Sequence, residues 1–375
     1  MVAGASQAMA LGGIADVTLP TQRIMTPPSP VRLAQANSNL SDADQAALDD
    51  LLLEGQDRID ARDYAGAISA YEQATRIDPR NPRLYSGIGY LYTQQSRYRE
   101  AIPAYEQAIA LEPDNLPFRH ALAYSYVQLE DYEQAISTYN SILAIAPRNQ
   151  DAYLGIGGIQ IILGDFDAAL RTYEALIQAV PGTASGHAAV GSFYLIQSDY
   201  ESAQAAFLQA LRLDSSQVNL YVSLAEAQLG LGRTDAAFQS LQRAIEINHR
   251  DAKAQFLIGE ILMQRGDREG AYRHYHIAVD VDADFLPAQA ASGALSLERQ
   301  EYLRAVLAYR RLTNALPNNA GAHYNLGLAL WGHGLNGQAV SALRRARSLY
   351  FAQDDLDGVD RVEALLDFWG IEDEE

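Results

Sequence analysis

Nine alanines recur every 34 residues without a change of phase: Ala67, Ala101, Ala135, Ala169, Ala203, Ala237, Ala271, Ala305 and Ala339. A fixed period of this length marks an array of identical supersecondary units, each burying its apolar face against its neighbours. The length alone would suit two or three globular domains. The period overrides that prior and predicts one elongated array.

Other columns keep the same phase. With frames counted from residue 48, position 8 holds only small residues: Gly55, Gly89, Ala123, Gly157, Gly191, Ala225, Gly259, Gly293 and Gly327. Position 24 holds a bulky one: Tyr71, Tyr105, Tyr139, Tyr173, Phe207, Leu241, Tyr275, Tyr309 and Leu343. Pro79, Pro113, Pro147, Pro181 and Pro317 close five frames. Small residues at positions 8 and 20 let two helices approach to roughly 8–10 Å. The bulky residue is expected to fill the space between hairpins, and the proline stops the second helix.

This pattern resembles the tetratricopeptide repeat (TPR) family over residues 48–353. In the second frame the match reads Tyr85, Ile88, Gly89, Tyr92, Ala101, Tyr105, Ala108 and Pro113. Frames 5 to 7 depart from it, with Ser215, His249 and Ala283 at the closing proline, and frame 9 has Phe351 there. The resemblance implies an all-α fold, a right-handed superhelical solenoid of nine helix-turn-helix repeats. It also implies a concave groove, lined by the first helix of each repeat, that holds a peptide or a partner's tail.

The net charge of −19 lies mainly at the two ends of the array. Residues 41–63 carry −6 and residues 354–375 carry −9, against +1 for residues 1–40. An acidic surface excludes nucleic acid and anionic membranes as natural partners. It would attract a cationic partner or a hard divalent cation, and it also keeps end hairpins soluble. The chain has no cysteine, so disulfides and thiolate metal sites are excluded.

Residues 1–40 read as a separate segment, with Pro20, Pro27, Pro28 and Pro30 forbidding a regular helix. Ala8-Met9-Ala10 and Ala34-Gln35-Ala36 have the small-x-small form of an export cleavage site, each without a complete signal before it. The segment is read as a possible remnant of an export signal followed by a linker. The expected location is periplasmic or exported, with the cytoplasm as the alternative. No stretch reaches the roughly 18 apolar residues of a membrane span. The array proper is expected from Ser41, a good helix cap, to residue 353. Residues 354–375 are expected to form an acidic capping helix and tail, with Leu356, Val359, Val362, Leu365, Leu366 and Trp369 on one face.

Catalytic signatures are missing: no phosphate loop, nucleophile elbow or paired-histidine metal motif occurs, so no enzyme is expected. His274 and His276 point about 200° apart on a helix and cannot chelate one ion. His187 and His323 at position 4 read as packing residues. Asp280, Asp282 and Asp284 lack the glycine and distal glutamate of a calcium loop. Asp354, Asp355, Asp357 and Asp360 are dense hard ligands that could hold manganese or calcium weakly, or form a solvated charge run.

The groove columns that the resemblance implies hold Tyr90, Gln94, His120, Tyr124 and Gln128 in the N-terminal half, an aromatic and amide surface suited to an extended peptide. Ile161, Ile162, Leu195, Ile196 and Leu229 follow and are expected to pack against neighbouring helices. Glu226 and Glu260 then turn the column acidic, with Glu298 nearby. Family members that grip acidic chaperone tails use Lys, Arg and Asn where this chain has Leu52, Gln56, Gly87 and Ala121, so that clamp is absent. The expected function is a non-enzymatic scaffold that binds an extended segment of a client protein. Uninterrupted repeats, export and acidic charge resemble the processing-associated TPR assembly factors of cyanobacteria. That likeness implies photosystem II biogenesis with Mn2+ as cargo. A general envelope or regulatory scaffold without metal is the alternative.

Overall fold

A computed structural model of the chain describes residues 40–371. Both small-x-small sites, the linker up to residue 39 and the tail Glu372–Glu375 lie outside the described residues. The described residues form α-helices joined by tight turns, in two compact units. One ends at Gln197 and the other begins at Ser198, so the boundary falls inside frame 5.

In the first unit, α1 (Asp42–Asp60) pairs with α2 (Tyr64–Ile77), α3 (Pro82–Gln94) with α4 (Tyr98–Leu111), α5 (Leu116–Gln128) with α6 (Tyr132–Ile145), and α7 (Gln150–Ile162) with α8 (Phe166–Ala179). Helix α9 (Ala184–Ile196) packs on α8 and α7. The second unit opens with α10 (Tyr200–Leu213), followed by the pairs α11 (Val218–Gly230) and α12 (Thr234–Ile247), α13 (Ala252–Gln264) and α14 (Arg268–Val281), α15 (Leu286–Glu298) and α16 (Tyr302–Ala315), and α17 (Ala320–Gly332) and α18 (Asn336–Ala352). Helix α19 (Leu356–Phe368) packs on α18. Among the described residues no helix is long and apolar enough to cross a membrane.

The periodic columns explain the hairpin. All nine phase alanines are fully buried. The position-24 side chain lies within its own hairpin rather than between hairpins, pressed against position 8. A Cβ on Gly157 would stand 2.2 Å from the Tyr173 ring, and one on Gly259 2.5 Å from Tyr275. Frame 3 breaks the column with Ala123 at position 8. There the Tyr139 ring leans instead onto Gly155 of the next repeat, whose Cβ would approach to 2.6 Å.

Two kinds of turn alternate. Inside a hairpin, position 15 takes a left-handed conformation that closes the first helix, and position 16 caps the second. Gly164, Gly232, Gly266 and Gly334 fill position 15 without strain, whereas Arg62, Ser96, Glu130 and Gln300 hold φ near 59°. Between hairpins, position 4 reaches back to a turn carbonyl. Tyr85 donates to Pro79 O, Arg119 to Pro113 O, Tyr153 to Pro147 O, Gln255 to His249 O and Gln289 to Ala283 O. His323 does the same through Nε2, 3.1 Å from Pro317 O. Position 4 therefore selects a long donor, and His323 has a hydrogen-bonding role that packing alone does not describe.

Candidate peptide-binding surface

The residues at positions 9, 13 and 17 meet at the turn ends of the first three hairpins. Position 9 holds Gln56, Tyr90 and Tyr124; position 13 holds Asp60, Gln94 and Gln128; position 17 holds Tyr64, Tyr98 and Tyr132. The tyrosines are half-buried, and Gln94 and Gln128 are exposed. Tyr98 and Tyr124 meet edge-to-face with ring centroids 6.0 Å apart. Burial, reinforced by Tyr98, pushes the Tyr124 hydroxyl up from its ordinary pKa. Burial, reinforced by Tyr64, does the same for Tyr90. These phenols stay neutral and offer a flat aromatic face with a hydrogen-bonding rim. The position-17 tyrosines were not among the residues expected to line the groove, which were drawn from the first helices alone. Their recurrence at Tyr64, Tyr98 and Tyr132 was the signal that could have found them.

His120 departs from the expected open groove. It is only 5 % exposed and packs edge-to-face on Tyr139 at 6.1 Å. Burial holds its imidazole below the usual histidine range, against the opposing pull of Asp151. Its ring belongs to the core because position 5 of this frame faces the same Tyr139 that Ala123 has displaced.

The acidic column of the second unit is engaged internally. Glu226 pairs with Lys253, the chain's one lysine, at 2.8 Å. Glu260 accepts a hydrogen bond from the Tyr275 hydroxyl at 2.5 Å. Glu298 pairs with Arg268. A cationic ligand would have to compete with these contacts. The two neighbouring histidines diverge: His274 contacts Gln255 of its own hairpin, and His276 faces Ser292 and Arg304 of the next.

The aspartates after α18 have structural work. Gln353, Asp354 and Asp355 form the same turn that joins helices within a hairpin. Asp354 takes the left-handed position with φ 56°. Asp355 caps α19 by accepting from Gly358 N at 2.9 Å and pairs with Arg361 at 3.7 Å. Asp357 and Asp360 are exposed on α19. Among the described residues no three His, Cys, Asp or Glu side chains converge as a metal ion requires. These four aspartates do not fit a resident manganese ion. Of the apolar face of α19, Val362 and Leu366 are buried and Trp369 stacks on Trp331 at 3.9 Å, whereas Leu356 is 63 % exposed.

Within each unit, hairpins of this geometry packed on their neighbours define a helical-repeat protein. Tetratricopeptide-repeat profiles match residues 92–148 and 128–192 and residues 52–115, 194–252 and 290–354. The chain belongs to the tetratricopeptide-repeat family. A TPR repeat-containing protein of Picosynechococcus sp. is 36% identical over 86 residues, a match that spans 23% of this chain and 22% of that protein. A tetratricopeptide repeat protein from Parabacteroides merdae shares the fold with a TM-score of 0.51 at 18% identity, over 67% of this chain and 99% of that one. A chain of the APC/C hetero-tetramer Cut9-Hcn1 does so with a TM-score of 0.50 at 17% identity, over 88% of this chain and 66% of that one.

Proposed function

We propose that the chain is a non-enzymatic scaffold that binds an extended segment of a client protein across the tyrosine and glutamine surface of repeats 2 and 3. The observation that carries this reading is the pairing of half-buried Tyr90 and Tyr124 with exposed Gln94 and Gln128 one helical turn away. Aromatic faces supply contact area at low entropic cost, and the amides pair with a peptide backbone. The test is a peptide-binding screen that includes the C-terminal region of a photosystem II reaction-centre precursor, run on the wild type and on Y90A/Y124A. Binding should fall by about tenfold or more, roughly 1.4 kcal/mol, with helicity unchanged. Unchanged affinity in the double variant refutes the surface.

Within that class we place the chain as an exported assembly factor for photosystem II with manganese as cargo. The acidic ends of the sequence support this role; the described geometry supplies no ligand set for the ion. Calorimetric titration separates the two levels. Saturable manganese binding above a magnesium control sustains the cargo role, and equal heats leave a scaffold without metal. Export is checked by the N-terminus of the native protein, since an intact Met1 would sink it.

A further inference from the structure

Among the described residues, the turn edge between repeats 3 and 4 is the one that exposes two large aliphatic side chains at positions 13 and 14. Ile162, Leu163 and Phe166 are 48 %, 56 % and 38 % exposed. Beside them opens a crevice of ≈ 550 Å³ lined by Glu130, Asp131, Tyr132, Glu133, Ile136 and Leu163. Whatever the fold needs at a turn recurs with the period. The neighbouring positions 13 and 14 hold Gln94-Gln95, Gln128-Leu129, Gln264-Arg265 and Glu298-Arg299 in other frames, never two large aliphatics. Phe166 keeps the aromatic character of position 17 and packs edge-to-face on Phe193 at 6.3 Å, whereas the exposed parts of Ile162 and Leu163 gain nothing from the hairpin, which does not account for them.

The rim is acidic. Glu130, Asp131 and Glu133 flank one side of the crevice, and Asp165 and Asp167 stand beside Leu163 and Phe166. Asp131 and Asp165 cap their helices through Gln134 N and Ala168 N. Among the described residues none of the five forms an ion pair with Arg or Lys. The equivalent edge of repeats 6 and 7 has a crevice of ≈ 500 Å³ as well, lined by Arg233, Asp235, Gln264 and Arg265, so what differs is the chemistry of the floor. There Arg265 pairs with Asp235 at 2.5 Å and lies over the Phe238 ring at 4.5 Å.

We propose that this edge is a second docking surface, and that its occupant is a short partner segment of mixed basic and aliphatic side chains. Aliphatic groups cover Ile162, Leu163 and Phe166. Lysine or arginine stems run along the apolar floor while their charged ends meet the rim carboxylates. An acidic segment is repelled, and a neutral one leaves the carboxylates unpaired. The edge adjoins the tyrosine surface and shares Tyr132 with it, but Tyr90 and Tyr124 do not line the crevice, so substitutions at those two separate the surfaces.

The probe is a fluorescent peptide of alternating leucine and lysine, with leucine–glutamate and serine–lysine peptides as controls, titrated into the full chain by anisotropy. The leucine–lysine peptide should bind most tightly. I162S/L163S, whose sites are already exposed, should weaken it by about tenfold. E130Q/E133Q/D167N should weaken it similarly and flatten its salt dependence. Y90A/Y124A should leave it within about twofold, as should D354N/D357N/D360N, which removes the same charge elsewhere. The proposal is overturned if the peptide does not bind, if I162S/L163S binds like the wild type, or if either distant variant loses as much affinity. Because Y90A/Y124A is scored separately, failure here leaves the tyrosine surface untouched, and the reverse also holds.

Discussion

The unit that ends at Gln197 and the unit that begins at Ser198 close the same 34-residue hairpin by different chemistry. In the first, position 24 is tyrosine four times over, at Tyr71, Tyr105, Tyr139 and Tyr173, each almost fully buried. Arg58 pairs with Glu54 and Asp63, and Arg97 with Glu100, each within one hairpin. In the second, position 24 runs Phe207, Leu241, Tyr275, Tyr309 and Leu343. There ion pairs bridge successive repeats: Lys253 with Glu226, Arg265 with Asp235, Arg268 with Glu298, and Arg299 with Glu269. Exposed pairs of this sort contribute little each and weaken with salt. Buried phenols ignore salt and carry a different liability.

That liability gives the largest expected effect. Burial pushes the Tyr71 hydroxyl up to about 12 and those of Tyr105, Tyr139 and Tyr173 higher still. An unfolded tyrosine titrates at about 10. Between that value and the raised folded one, the unfolded state has released a proton that the native state retains. Stability is therefore intact below about pH 10 and falls above it by about 1.4 kcal/mol per pH unit for each such tyrosine. The four position-24 tyrosines of the first unit carry this slope, joined by Tyr126, which burial and Glu106 push up to about 12, against Tyr275 and Tyr309 as the most strongly raised in the second. Both tryptophans, Trp331 and Trp369, lie in the second unit, so their fluorescence reports it alone. Urea melts in the alkaline range should show helicity lost before tryptophan fluorescence changes. Coincident transitions at every pH would break the comparison.

The two units also answer an alanine at position 8 differently. In frame 6, Ala225 and Leu241 are buried in one cluster, so an alanine is accommodated there beside a smaller position-24 side chain. In frame 3, Ala123 coexists with Tyr139 because Gly155 yields space on the next helix. Gly155→Ala should therefore destabilise the chain by about 1–3 kcal/mol through overpacking. Combining it with Tyr139→Leu, which copies the frame 6 solution, should recover most of that loss. The denaturation midpoint decides it. A double variant no more stable than Gly155→Ala would show that the ring was not the obstacle.

Ala67 and its eight partners made the hairpin legible from the sequence, because a period is a statement about packing that repeats until it is unmistakable. Side chains whose role depends on one neighbour were less legible. His120 sits in a column that resemblance placed on the groove, yet its burial follows from where the Tyr139 ring turned. Glu226 and Glu260 read as free acids until Lys253 and Tyr275 came beside them. Ile162 and the central leucines were expected to pack inward, and Ile162 is exposed. The dense aspartates from Asp354 onward looked like metal ligands in one dimension; in three, one is a turn residue and another a helix cap. Pairing across repeats is long-range in sequence, and a single sequence carries no trace of which donor will meet which acceptor.

The smallest expected effect separates the units at the level of one hydroxyl. Tyr139 Oη is buried with no hydrogen-bond partner among the described residues, whereas Tyr275 Oη donates to Glu260. A buried hydroxyl without a partner bears its desolvation cost uncompensated; a satisfied one contributes about 1 kcal/mol net. Tyr139→Phe should thus raise stability by about 1 kcal/mol, and Tyr275→Phe should lower it by a similar amount. The same substitution feeds back on the alkaline experiment. Removing the Tyr139 phenol takes away one of the titrating groups of the first unit, so its melt should steepen less above pH 10. If Tyr139→Phe is neutral at pH 7 and leaves the alkaline slope unchanged, the ring does not carry the sensitivity assigned to it, and the contrast between the units would have to rest on the inter-repeat ion pairs alone.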